Sequence, residues 1–332
     1  MNPKSRNLLA KIYSPINDSL ENVKSEISNL SKHQIINKEF SFLSKLLMHS
    51  LNSSGKKLRP AITLLCSGFG NHNFKNVEKM ASAIELLHIA TLVHDDTVDD
   101  SNFRRGQKTI SSLWGDNAAV LIGDYIFATA ASFVCETNSI PVIKRFSETI
   151  MELSMGELNQ MSSLYKLNQT KEKYFKRIYH KTASLFSTSS ESGAILSNTD
   201  QKTINALKNF GYNLGMAFQI TDDILDFIGD PQKTGKPTES DLAKGILTLP
   251  SIISIEKNPK NNPIIQFFKE PSNNTLLHKA IENASEKSNI SDSLKIAKQF
   301  CQIALNEIDY LPENSHKTAL THLVEYVLTR EK

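Results

Sequence analysis

Cysteine is scarce in this 332-residue chain: Cys66, Cys135 and Cys301 lie far apart and without CxxC spacing. An odd, scattered set argues against a disulfide framework or a zinc site. It fits a reducing compartment, so the expected location is cytoplasmic. Glycine (13) and proline (11) are also few. That leaves little punctuation for many short strands and favours long helices. Charge of one sign is missing too: the formal net charge is +3 and no long Lys/Arg block occurs, so nucleic acid is not an expected partner. The N-terminus, MNPKSRNLLAKIYSPIND, has no apolar stretch long enough for a signal peptide. The most apolar segment, 118–135, is broken by Asp124. It falls short of the ~20 uninterrupted apolar residues of a membrane span and reads as a core or subunit-interface helix.

What is present is ordinary for a globular chain with a real core: 39% hydrophobic and 22% charged residues. Apolar residues recur at helical spacing, as in Leu8, Ile12 and Ile16, or Ile204, Leu207, Phe210 and Leu214. Breaks fall at 52–55, 68–73, 138–141, 229–237, 258–263 and 271–274, and helical lengths lie between them. No stretch alternates long enough for a sheet, and no composition shift marks a second domain. The expectation is an all-α chain forming one domain over residues 1–332.

One pattern occurs twice. Asp95-Asp96-Thr97-Val98-Asp99 and Asp222-Asp223-Ile224-Leu225-Asp226 both read DDxxD, each after an apolar helical run. On a helix, positions i and i+4 share a face, so Asp95 projects with Asp99 and Asp222 with Asp226. Like charges at this spacing repel, and Asp100 adds to the first cluster. A solvated acidic helix end is the bland reading. Two copies after apolar runs instead suit a hard cation, since carboxylates without His or Cys partners match Mg²⁺ bridged to phosphate. His94 is either a ligand or a packed second-line histidine. Two basic clusters stand nearby: Gly55-Lys56-Lys57-Leu58-Arg59-Pro60 opens a helix, and Arg104-Arg105-Gly106 follows the first acidic motif. Each alone reads as solvated surface, but beside the acidic pair they suit diphosphates. His88, nearly in phase with Asp95, has a core histidine as its plain alternative.

These residues resemble the trans-isoprenyl diphosphate synthases, the polyprenyl synthetase family, over roughly 40–255. The motifs appear in order: GKKLRP at 55–60, ELLHIATLVHDDTVDDSNFRRG at 85–106, GD at 123–124, MGELNQ at 155–160, HKTASLF at 180–186, GMAFQITDDILDFIGD at 215–230 and GKPTESDLAKGILTLP at 235–250. The resemblance implies an antiparallel helical bundle around a deep central cavity, a homodimer, and condensation of isopentenyl diphosphate with an allylic diphosphate. It implies that Lys56, Arg59, His88 and Arg105 hold isopentenyl diphosphate. Asp95, Asp99, Asp222 and Asp226 would bind Mg²⁺, about three ions per site. Asp96 would support them, and Arg104, Lys181, Thr182, Gln219 and Lys236 would line the allylic site. Phe218 is either a cation–π partner or a core residue. Ser54 and Glu239 stand where relatives often carry glycine, which bears on loop conformation only.

Product length follows from the helix that ends in the first aspartate motif. Thr91 lies one turn, ~6 Å, below Asp95; Ala90 is its neighbour, and Leu87 and Ile84 continue inward. Short-chain relatives carry a bulky aromatic where Ala90 and Thr91 are small, so a long all-trans product is expected. A medium-length geranylgeranyl or farnesyl product is the alternative. Such a product would leave at a membrane surface without the chain spanning one. A terpene cyclase carries a different second metal motif, and a non-catalytic partner subunit lacks one or both acidic motifs.

Overall fold

Polar caps set the starts of many helices. Asn73, Thr109, Thr170, Asn262 and Asn314 each accept a backbone N–H from the first turn that follows, satisfying donors that a helix start leaves unpaired. The computed structural model describes residues 3–31, 40–51, 55–71, 73–228 and 241–330; Ser54, Lys236 and Glu239 lie outside them. The first helices are α1 (Pro3–Tyr13), α2 (Asn17–Leu30), α3 (Ser41–Leu51), α4 (Leu58–Cys66) and α5 (Phe74–Val98). Next come α6 (Ile110–Trp114), α7 (Asp116–Glu136), α8 (Ile140–Ser162) and α9 (Lys171–Ile178). A π-helical turn, Tyr179–Ala183, runs into α10 (Ser184–Leu196), and α11 (Gln201–Ile228) follows. Five more helices close the chain: α12 (Leu249–Lys257), α13 (Pro263–Lys269), α14 (Asn274–Ala284), α15 (Lys287–Ile308) and α16 (Ser315–Thr329). The all-helical expectation holds, with one small departure. Phe103–Arg104 pairs antiparallel with Gln107–Lys108, and Arg105 (φ 50°) and Gly106 (φ 79°) form the two-residue turn. Positive φ at both central positions is what such a tight hairpin turn needs.

The long helices pack as neighbours: α5 on α7, α11 on α15, and α10 between α4 and α11. One apolar cluster joins α1–α8, α10, α11, α15 and α16; a second joins α9, the π-helical turn and α11 to the C-terminal helices. α11 and α15 contribute to both. α10 sits among α4, α5, α8 and α11, although Ser184, Ser187, Thr188, Ser189, Ser190 and Ser192 are all buried along it. Burial is tolerated because hydroxyls bond back along the helix, Ser184 to His180, Ser189 to Leu185 and Ser190 to Phe186. α7 is long and apolar enough to cross a membrane by length and composition. It packs on α5 and leaves Val120, Leu121 and Tyr125 exposed on its other side.

Candidate active site

The C-terminal end of α5 splits the first aspartate motif between two faces. Asp95 and Asp99 line a cavity of about 610 Å³. Asp96, one residue around the helix, is buried and accepts Arg104 Nε at 2.7 Å on both carboxylate oxygens. The hairpin is thereby tied to α5, and Arg104 is held at the cavity wall. Burial, then the Glu157 carboxylate, pushes Asp95 up to about 7 against the pull of Lys181 and Arg104. Asp99 lies 3.4 Å from Lys244 Nζ.

On α11 all three aspartates of the second motif, Asp222, Asp223 and Asp226, line the cavity. Asp223 is only 3% exposed and bonds to Tyr174 and Gln219. Burial, helped by Asp241, pushes Asp223 up to about 7. The two motifs therefore meet across one cavity. His94 does not reach it. Its ring rests on Gly123, where a Cβ would come within 2.2 Å, and its Nε2 is 3.5 Å from Asp124. The Gly-Asp pair of α7 thus seats a packed histidine.

The basic residues converge on the same space. Lys56, Arg59, His88, Arg104, Arg105 and Lys181 all line the cavity. Lys57, in the left-handed conformation before α4, turns to the buried Glu85 at 3.0 Å. Arg59 Nη1 lies 3.2 Å from His88 Nε2. Burial, then Arg59, holds His88 well below the usual imidazole range, so the ring is neutral and its Nε2 accepts from Arg59. Burial also pulls Arg59 down to about 10, while Glu85 and Asp222 oppose this. Arg59 Nε is buried without a partner. The guanidinium itself lies 4.8 Å from the centroid of the Phe186 ring, at the wall of the cavity.

The π-helical turn supplies the opposite wall. Lys181 pairs with Glu157 at 2.8 Å; burial lowers its ammonium, but Glu157 and Asp95 together hold it above its usual value. Thr182 donates to Gln219 Oε1 at 2.6 Å. Two glycines admit the turn between its neighbours. A Cβ on Gly156 of α8 would meet Lys181 N at 3.0 Å, and one on Gly215 of α11 would meet Ala183 Cα at 2.6 Å. Gly215→Ala is therefore expected to wedge α11 from the turn. It should cost about 1–3 kcal/mol as overpacking and lower kcat by misplacing Gln219 against Thr182. Thermal melting and turnover check this together; an unchanged Tm would show that the contact yields freely.

The polyprenyl synthetase family profile matches residues 40–284. The chain belongs to the polyprenyl synthetase family. It is 32% identical over 319 residues to a heptaprenyl diphosphate synthase component 2 of Bacillus subtilis, covering 96% of this chain and 90% of that one. A heptaprenyl diphosphate synthase structure from Staphylococcus aureus superposes with a TM-score of 0.88 at 34% identity, covering 95% of this chain and 98% of that one. A Caulobacter crescentus polyprenyl synthase, complexed with calcium and isoprenyl diphosphate, gives 0.89 at 28% identity and covers 98% of both chains.

Of the diphosphate, metal and chain-length residues expected from the sequence, all those described line the cavity except Asp96, Ala90, Leu87 and Ile84. Lys236 lies outside the described residues. Ala90 is 1% exposed and packs in the core, as do Leu87 and Ile84; of the chain-length pair only Thr91 faces the cavity. Phe218 lines it with its ring already faced by Arg330, 3.6 Å from the centroid. Arg330 is a site residue the sequence reading missed. Its Nη2 pairs with Asp222 at 2.8 Å and donates to the Phe218 carbonyl, while its Nε is buried without a partner. No motif or spacing signals it. Asp241 and Lys244 were quoted within a family motif, but nothing in the sequence assigned them to the cavity they line or border.

Proposed function

We propose that this polyprenyl synthetase joins isopentenyl diphosphate repeatedly to an allylic diphosphate, giving a long all-trans polyprenyl diphosphate and releasing diphosphate. The observation that carries this is the meeting of two aspartate motifs and a basic wall in one cavity. Lys56, Arg59 and Arg105 hold isopentenyl diphosphate, and His88 orients Arg59. Arg104, Lys181 and Lys236 hold the allylic diphosphate. Among the described residues no three His, Cys, Asp or Glu side chains converge as a cage. The carboxylates fit Mg²⁺ all the same, because that ion takes one or two carboxylates and fills its shell with water and substrate phosphate. Asp95, Asp99, Asp222 and Asp226 would hold it. Bound there, it supplies positive charge that stabilises the departing diphosphate.

The protein's own groups do the rest. The oxygens of Thr182, Gln219 and the Lys181 carbonyl turn negative dipoles toward the allylic cation. The walls keep water from it. The double bond of isopentenyl diphosphate attacks, and the released diphosphate takes the proton. Incubation with labelled isopentenyl diphosphate, Mg²⁺ and primers of different length, followed by sizing of the dephosphorylated products, tests the reading. Absence of any elongated product would sink it.

The basic residues are expected to act unequally. Arg59→Ala and Lys56→Ala should raise KM for isopentenyl diphosphate by roughly one to two orders of magnitude, a charge-assisted hydrogen bond contributing about 1.5–3 kcal/mol. His88→Ala should do less, since its ring is neutral and acts through Arg59. Steady-state kinetics with each substrate varied decides it: a collapse in affinity for the allylic primer instead reverses the two sites.

The chain works as one domain over 1–332 and as a homodimer in the cytoplasm. Leu121 (69% exposed), Met151 (59%) and Leu158 (65%) are exposed apolar residues on α7 and α8. The B. subtilis relative is named as one component of two, so a different partner subunit is the competing arrangement. Gel filtration of the purified chain with an activity assay separates them.

A further inference from the structure

We propose that Tyr174, buried behind the cavity, is a positioning residue that fixes the direction of a hydrogen-bond chain ending at Thr182; this rests on the cation chemistry proposed above. Tyr174 donates to Asp223 Oδ2 at 2.6 Å. Gln219 Nε2 donates to Asp223 Oδ1 at 2.7 Å, and Thr182 donates to Gln219 Oε1 at 2.6 Å. With Asp223 ionised, only one polarity satisfies every link. A carboxylate accepts and cannot donate, so the Gln219 amide turns its nitrogen to Asp223 and its oxygen to Thr182. That oxygen also only accepts, so Thr182 commits its hydrogen there. What Thr182 then offers the cavity is its lone pairs.

The sign matters because the reaction makes a cation. An amide turned by half a rotation would present N–H to Thr182 and leave the hydroxyl hydrogen free to point at the reacting carbon. Dipoles already aligned need no reorganisation when charge develops, and linked hydrogen bonds reinforce one another. Tyr174 holds that alignment through its phenol oxygen, while its ring packs in the second apolar cluster. It is fully buried on α9 and is absent from the cavity wall. Without its phenol, Asp223 Oδ2 loses its donor in a site 3% exposed, and the carboxylate is free to swing away from Gln219.

Tyr174→Phe is expected to lower kcat about tenfold, the worth of one buried hydrogen bond. KM for both substrates should be unchanged, as should the stoichiometry and Kd for a non-ionisable thio analogue of the allylic diphosphate. The deciding measurement is a double-mutant cycle with Thr182→Val, which removes the end of the chain. If Tyr174 acts through Thr182, Tyr174→Phe has no further effect on kcat in the Thr182→Val background. Additive losses overturn the proposal, as does a fall in analogue stoichiometry parallel to kcat, or a variant that fails to fold, since either makes Tyr174 a packing residue. Unchanged kcat overturns it as well. Should the unaltered enzyme elongate no primer, the functional reading fails first, and that outcome is distinct from these.

Discussion

Asp95→Ala and Asp99→Ala are expected to lose turnover by about a thousandfold or more while keeping the helical fold, because both carboxylates line the cavity, are proposed to hold Mg²⁺ there and hold no helix in place. Circular dichroism should match the unaltered protein. Asp95 adds a pH signature in metal-free protein. Its folded pKa is raised from 3.8 to about 7, so between those values the folded state binds more protons than the unfolded one. The stability this gives is present in full below pH 4 and is lost as pH rises through about 7. Asp95→Ala removes that dependence, so its Tm should gain on the unaltered protein as pH is raised from 4 to 8. Near-normal turnover in Mg²⁺ with either variant would place ionisation elsewhere.

Thr91→Phe is expected to shorten the product to about three or four isoprene units, because its ring would stand one turn, ~6 Å, below Asp95 on the cavity face. Catalysis should continue, since the Thr91 hydroxyl bonds only to the backbone carbonyl of His88 on its own helix and to no diphosphate-binding side chain. Ala90→Phe is expected to behave differently. A ring added at a 1% exposed core position overpacks α5 against its neighbours, at about 1–3 kcal/mol, and should lower Tm more than it alters length. Chromatographic sizing and melting of both variants decide this. A Thr91→Phe enzyme with unchanged product length would place the tunnel along another wall, and a short product from the unaltered enzyme would refute the long-chain reading itself.

The contrast between those neighbours shows where a sequence stops informing. Spacing placed Asp95 with Asp99 and Thr91 with Asp95, because helical phase is a local property. Phase also separates Ala90 from Thr91 by about 100°, yet which of the two faces the cavity depends on how α5 packs against α7 and α4. The DDxxD pairs, the Arg-Arg-Gly turn and the Lys-Thr pair were legible as motifs. Arg330 was not, since its approach to Asp222 is made by tertiary packing between residues far apart in the chain. Tyr174 and Asp223 pair for the same reason. The π-helical turn carries no pattern of its own; it takes its place between Gly156 and Gly215, which only the packed helices bring together. α10 shows a different case. Its serines are polar yet buried, and three of them bond back to carbonyls one turn earlier.

That last arrangement makes α10 a gauge of the whole molecule. With four helices packed around it, its amides reach solvent only when the protein opens globally, whereas the short hairpin and helix ends exchange through local fraying. Deuterium uptake along Ser184–Leu196 therefore separates a substitution that loosens the cavity from one that loosens the protein.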